Sequence, residues 1–241
     1  MSARFAIVIP VYNEGNAILE TIGQILAKVK GDFAAYFVYD TEDDTSLPFI
    51  RSVKDPRINL LRNKYGRGAL NAIRTGMEET REERVIVFMS DLSEDPVYIN
   101  DLVAKSDEGY DIVCGSRYMN GGGQVGAPAF KSFLSRMAGL SLRLMTGIPT
   151  YDVSNSFKLY SRKVLTDVTI ESTGGFEIAL EILVKSYLKG YKITEVPVIW
   201  KEREAGVSNF KFSKWLPKYL KWYFYLLGHR LFFWKKVKDE K

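Results

Sequence analysis

The sequence predicts an α/β fold, a mostly parallel sheet flanked by helices, with an aromatic and basic helical tail. Three observations carry this. Short apolar runs rich in Val, Ile and Phe alternate with longer stretches of helical pattern, which is the signature of parallel strands joined by crossover helices. Several runs stop at a carboxylate or a glycine, so their loops gather at one edge of a sheet, where open α/β sheets bind ligands. The length of 241 residues suits one large domain, or one domain with an appendage.

In chain order, Phe5 to Ile9 reads as a first buried strand, Pro10 to Glu14 as the loop beyond it, and Asn16 to Lys30 as a helix. Tyr36 to Tyr39 reads as a second strand ending in Asp40, followed by the acidic loop Glu42-Asp43-Asp44. Arg57 to Leu61 reads as a third strand, and Gly66-Arg67-Gly68 opens a helix to about Thr80. Val85 to Phe88 reads as the fourth strand and Asp111 to Cys114 as the fifth, the latter ending in Gly115-Ser116-Arg117. The fourth stops at Asp91, whose hard oxygens suit Mg or Mn, although an Asp there also serves a turn or caps the helix after Pro96. After a flexible Gly121-Gly122-Gly123, a long helix is expected over Ala129 to Met145.

Composition excludes several functions. One cysteine, Cys114, leaves no disulfide framework or cysteine zinc site, and it suits a reducing compartment. One histidine, His229, argues against a Ser-His-Asp or Cys-His site. Phe5 to Pro10 is too short for a signal core, so no cleavable leader is expected. The dinucleotide fingerprint and the Walker A sequence are both missing.

The net charge of +5 is uneven. Residues 211–241 hold nine Lys or Arg against two acids, or +7, which leaves −2 for the rest. Ten aromatics interleave with these cations, and the longest stretch free of Lys, Arg and His, Trp222 to Gly228, is far below the roughly 20 apolar residues of a spanning helix. An anionic membrane surface is the expected partner, and the expected location is peripheral, on the cytoplasmic face of a membrane. Helices packed on the domain, or a homo-oligomer formed through them, are the plainer readings. With no nucleic-acid motif in the chain, no nucleic-acid partner is expected.

Six ordered motifs then align with one family. Ile9-Pro10-Val11-Tyr12-Asn13-Glu14, Val38-Tyr39-Asp40, Met89-Ser90-Asp91-Leu92, Gly115-Ser116-Arg117-Tyr118, Asp152 to Lys158, and Glu195-Val196-Pro197 with Arg203, Gly206 and Ser208 resemble those of the family 2 glycosyltransferases of GT-A fold. The branch they are most similar to is the dolichol-phosphate and polyprenyl-phosphate sugar synthases. The resemblance runs from about residue 5 to residue 211 and implies a glycosyltransferase domain over 1–210, while the aromatic and basic composition of 211–241 reads as membrane-surface helices. It also implies metal-dependent, inverting transfer of a sugar from a nucleotide-sugar donor, GDP-mannose or a UDP-sugar, to a polyprenyl phosphate.

By the same resemblance Pro10, Tyr12, Glu14, Val38 and Asp40 hold the nucleotide, Ser90 and Asp91 lie at the diphosphate, and Asp91 binds Mg or Mn. Arg117 and Arg203 then neutralise phosphate oxygens, while Arg117, Lys131, Ser135 and Arg143 handle the acceptor phosphate. The alternative for the last three is an amphipathic core helix with solvated cations. Asp152 either orients a cation or faces the sugar. Glu177 and Glu181, one helical turn apart, make surface salt bridges or supply a general base. Met89 and Asn209 depart from the family pattern, with Glu94 or Asp95 as substitute metal ligands. Two further alternatives stay open: a saccharide or protein acceptor, and a weakly active homologue that binds nucleotide-sugar or scaffolds a membrane complex.

Overall fold

A computed structural model describes residues 4–202 and 212–239, with side chains in the second stretch described over 216–230. Strand β1 is Phe5–Pro10, and Gly15–Ala17 is a single 3-10 turn leading into α1, Ile18–Lys28. There follow β2 (Phe33–Tyr39), α2 (Leu47–Ser52), β3 (Ile58–Arg62), α3 (Ala69–Glu79), β4 (Arg84–Val87) and α4 (Tyr98–Asp107). The later elements are β5 (Ile112–Ser116), β6 (Gly123–Val125), α5 (Ala129–Thr146), β7 (Lys158–Ser161), α6 (Arg162–Asp167), α7 (Ile178–Leu188), β8 (Ile193–Pro197), β9 (Ile199–Lys201) and α8 (Phe212–Asp239).

The main sheet has the order β3-β2-β1-β4-β7-β5-β8. All pairings are parallel except those of β7, which runs antiparallel between β4 and β5. β6 and β9 form a small parallel ribbon beside it. Alternation along each strand sends side chains to two apolar layers. On β1, Phe5, Ile7 and Ile9 join Ile18, Ile22 and Ile25 of α1, while Ala6 and Val8 join Leu70 and Ile73 of α3. Each such fully buried aliphatic contributes roughly 1.5–3 kcal/mol. Gly76 lets α3 lie directly on β1, since a Cβ there would stand 2.2 Å from a methyl of Val8.

Three expectations change. β2 begins at Phe33, because Phe33-Ala34-Ala35 pairs with Phe5-Ala6-Ile7 although its alanines carry little strand signal. The acidic loop gives way to helix α2 after Ser46. The tail forms one helix where several were expected, and Trp222, Leu226 and Leu227 of it sit in the main core with α7. The Trp222 indole donates to Ser172 Oγ at 3.0 Å, and Pro217 is accommodated within the helix.

Candidate active site

The C-terminal ends of β1, β2, β4 and β5 share one edge because the strands are parallel. This edge collects Tyr12, Glu14, Asp40, Ser90, Asp91 and Arg117.

On the β1–β2 side, polar groups tie loops to loops. Asp40 accepts from Asn63 Nδ2 at 2.8 Å and from the Gly68 N–H at 2.9 Å, which fixes the Gly66 to Gly68 turn. Gly66 and Gly68 have φ of +85° and +121°, conformations that side-chain-bearing residues avoid. Asp44 is buried and accepts from the N–H groups of Asn13 and Ser46. The Asn13 side chain in turn accepts from the Thr45 N–H, and Ser46 Oγ accepts from the Glu14 N–H at 2.9 Å. From sequence Asp44 reads only as part of an acidic loop and its bracing role is missed, although Asp44-Thr45-Ser46 ahead of Leu47-Pro48 is a helix-start signal.

The expected nucleotide contacts fall into two groups. Tyr12 is exposed and Asp40 half-buried beyond the ends of β1 and β2. Pro10 and Val38 instead bury their side chains, and Val38 contributes through its carbonyl, which accepts from the Val11 N–H at 3.0 Å. Glu14 accepts from Ser90 Oγ at 2.9 Å, and Thr21 Oγ1 donates to the Ser90 carbonyl. Ser90 therefore braces the β4 loop against the β1 loop.

Asp91 ends that loop half-exposed, and its Oδ1 accepts from the Ser93 N–H at 3.0 Å. Beyond it the chain alternates. Asp95 turns away to pair with Lys28 at 2.6 Å, while Glu94 points inward, 2% exposed. Burial pushes Glu94 up to about 7 against the attraction of Arg117, and the negative charge of Asp91 adds to the rise. The Ser93 carbonyl accepts from the Lys201 N–H, so β9 leads residue 202 past the Asp91 loop. Arg203, Gly206, Ser208, Asn209 and Lys211 lie outside the described residues.

The β5 side is ionic. Arg117 grips the buried Asp152 with two parallel bonds, Nε to Oδ2 at 2.6 Å and Nη2 to Oδ1 at 2.9 Å. Its own N–H adds a third at 3.1 Å. Burial works to raise Asp152, but the Arg117 charge and hydrogen bonds together outweigh it and hold the carboxyl below its usual range. Asp152 thus orients a cation. Ser135 of α5 reaches the same group, with Oγ 3.5 Å from Arg117 Nη2 and 2.6 Å from Ser154 Oγ.

Gly139 makes this approach possible, because a Cβ there would stand 1.9 Å from the Tyr151 carbonyl oxygen. Beneath lies Lys158, wholly buried in the centre of the sheet and bonded to the Asn155 carbonyl. Burial lowers its pKa. Lys131 is exposed one turn before Ser135, whereas the Arg143 guanidinium stacks 4.1 Å over the Tyr151 ring.

Glu177 and Glu181 are neither surface residues nor open bases. Glu177 accepts from the N–H groups of Gly174 and Gly175, and Glu181 from those of Glu171 and Ser172 as well as from Lys185. They hold the loop that precedes α7.

The family model described as Glycosyl transferase family 2 matches residues 6–169, more than half of the chain. The chain belongs to glycosyltransferase family 2. This glycosyltransferase is 28% identical over 222 residues to the uncharacterized glycosyltransferase YkcC of Bacillus subtilis, covering 88% of this chain and 65% of that protein's length. It is 27% identical over 217 residues to the polyprenol monophosphomannose synthase of Mycolicibacterium smegmatis, covering 87% and 82%. The fold matches glucosyl-3-phosphoglycerate synthase from Mycobacterium tuberculosis, solved with Mn2+, UDP and glucosyl-3-phosphoglycerate, at a TM-score of 0.69, 16% identity and coverage of 94% and 80%. The same enzyme solved with Mg2+ and UDP gives 0.66 at 18% identity, covering 94% and 80%. The α/β fold is therefore GT-A, and the chain is an enzyme of the glycosyltransferase class.

Proposed function

We propose that this glycosyltransferase moves a sugar, with inversion, from a nucleotide-sugar to a polyprenyl phosphate at a membrane surface. One observation carries the choice of acceptor. The two carboxylates of the α7 region are consumed by backbone N–H groups and Lys185, and Asp152 is consumed by Arg117, beside which stand the hydroxyls of Ser135 and Ser154. A hydroxyl acceptor needs a base, whereas a phosphate oxygen is already anionic and needs only positioning and charge neutralisation. The name of the Mycolicibacterium relative supports the same acceptor class.

The nucleotide is read as lying along Tyr12 and Asp40, with its diphosphate at Asp91. Among the described residues no cluster of three metal-ligating side chains occurs. The donor set nonetheless fits Mg or Mn, which are commonly held by one or two carboxylates plus substrate phosphates. Asp91 would hold the ion, which neutralises charge on the departing nucleoside diphosphate. Arg117 commits Nε and Nη2 within the protein, so in this reading Nη1 and the exposed Lys131 meet the acceptor phosphate, with Arg203 serving the diphosphate.

A hydroxyl acceptor, on a saccharide or a protein, is the second reading, and Glu94 favours it. A buried carboxyl near 7 beside Asp91 has the character of a general base. The test is nucleotide release from a panel of nucleotide-sugars with polyprenyl phosphate or saccharide acceptors, with Mn or Mg. Transfer to the lipid phosphate, abolished in Asp91→Asn, is the expected result. Glu94→Gln should then cost less than about tenfold, and a loss of roughly 100-fold or more would favour the hydroxyl acceptor. Thermal stabilisation by a nucleotide-sugar without transfer would mark a binding homologue instead.

A further inference from the structure

Strand β7 opens on a wholly buried lysine, Lys158. In register it stands opposite Val87, the last residue of β4, and opposite Cys114 of β5. Because β7 runs antiparallel to both, its first residue lies at the edge where β4 and β5 end. Lys158 therefore lies beneath the loops that carry Asp91 and Arg117.

A sheet gains little from an ammonium at that depth. Burial opposes its charge, and a packed apolar side chain in the place of a buried ionic one is commonly neutral or stabilising. What the ammonium holds is a turn. Its Nζ donates to the Asn155 carbonyl. Asn155 in turn joins both partners of the buried ion pair. Its N–H donates to Asp152 Oδ1 at 3.1 Å, and its Nδ2 donates to the Gly115 carbonyl at 3.0 Å, two residues before Arg117. The Gly115 N–H donates to the Phe157 carbonyl at 2.9 Å, so residues 155–157 clasp the end of β5. Among the charged neighbours, Asp152 and Glu94 favour the ammonium and Arg117 opposes it, so two cations face two carboxylates. The β1–β2 side is braced separately, by Asp40, Asp44 and Ser46.

We propose that Lys158 is a positioning residue for the acceptor step: it fixes the turn from Asp152 to Asn155 from below, and through Asp152 it aims the Arg117 guanidinium at the acceptor phosphate. The inference rests on the reading of Arg117 as an acceptor-phosphate group, and it adds the residue that sets the direction of that group. Being wholly buried, Lys158 acts only through its neighbours.

The experiment compares the full chain with Lys158→Met, which removes both the charge and the donor, and with Lys158→Arg, which keeps both. Acceptor kinetics are measured with polyprenyl phosphate, and nucleotide affinity with GDP and UDP in the presence of Mn by titration calorimetry. In Lys158→Met the kcat/KM for polyprenyl phosphate should fall about tenfold to 100-fold, since misplacing a positioned group by about 1 Å costs up to that much. Nucleotide affinity should stay within about twofold, a split that general loosening of the fold would not give. Lys158→Arg should recover most of the loss. A second readout needs no acceptor. In the nitrogen-15 spectrum of the labelled protein, the Arg117 Nε–H signal is assigned by its loss in Arg117→Lys. It should exchange slowly with water, because Nε donates to the buried Asp152. Lys158→Met should speed that exchange about tenfold or more, and Lys158→Arg should restore it.

Acceptor kinetics like the parent's, or an unchanged Arg117 signal, in Lys158→Met overturns the proposal. So does an equal loss of nucleotide and acceptor binding. If Lys158→Met does not fold, Lys158→Gln, which retains a donor without the charge, is read in its place. Failure of both to fold makes Lys158 a folding residue and sinks the proposal. Should the parent transfer nothing to polyprenyl phosphate, the acceptor reading fails, and the Arg117 signal alone upholds or overturns the role of Lys158.

Discussion

The two sides of the site are held by different forces. At the β1–β2 side, carboxylates accept from backbone N–H groups and neutral side chains, as Asp40 does from Gly68 and Asn63, and Asp44 from Asn13 and Ser46. At the β5–β7 side, charge is buried against charge, with Arg117 on Asp152 and Lys158 beneath them. A hydrogen bond contributes about 0.5–1.5 kcal/mol net, whereas breaking a buried ion pair from one partner costs about 3–5 kcal/mol. The first side is therefore a set of loops whose shape can be tuned in small steps. The second is an arrangement that stands or falls together.

The sharpest way to break this contrast is Asp152→Ala. It leaves Arg117 buried without its carboxylate and should cost about 3–5 kcal/mol in urea unfolding, together with transfer activity. A loss below about 1 kcal/mol would make the pair no stronger than the loop contacts opposite.

Glu94 comes next. Its folded pKa of about 7 lies above the ordinary 4.5, so the folded state binds this proton more tightly than the unfolded chain does. Stability is therefore lost as pH rises from the ordinary value to about 7, by up to roughly 3 kcal/mol, and is flat above. Glu94→Gln should erase that slope and match or exceed the parent at pH 8. Parallel melting curves for the two proteins across this range would count against the assignment.

Gly139→Ala drives a methyl into the Tyr151 carbonyl and should cost about 1–3 kcal/mol while weakening the Ser135 contact to Arg117. A neutral result in thermal melts would mean that α5 slides outward without penalty.

The smallest effect is on the first side. Asp40→Ala removes a half-exposed carboxylate that accepts from two uncharged donors and should cost about 1–2 kcal/mol, with weaker nucleotide-sugar affinity by titration calorimetry. Unchanged affinity would leave Asp40 as a turn residue alone.

What could be read from the chain follows from the same contrast. β1, β4 and β5 announce themselves through Val, Ile and Phe, and the loops at their ends carry the expected polar residues. β7 does not, because it is only four residues long and opens on Lys158, a wholly buried lysine in a central strand and a residue type depleted from strands. Such a violation marks a place where the sheet serves the site instead of its own stability. The motif around Asp152 was visible, but its grip on Arg117 depends on antiparallel β7 returning that loop to the end of β5. The buried roles of Glu177 and Glu181 were hidden because a sequence shows their spacing and not the loop folded over them.

The placement of β7 also sets an order of assembly. β4 and β5 are successive strands, yet they are not neighbours, and the gap between them is filled only when residues 158–161 arrive. On a ribosome adding about 5–20 residues per second, the first four strands can pair among themselves while β5 waits seconds for its antiparallel partner. The nascent chain therefore exposes one open edge at β4 until that moment. Trp222, Leu226 and Leu227 close the core later still, from the end of the chain. Because the Arg117 and Asp152 pair spans the β7 step, the β5 side of the site forms only after residue 161, about two thirds of the way along the chain.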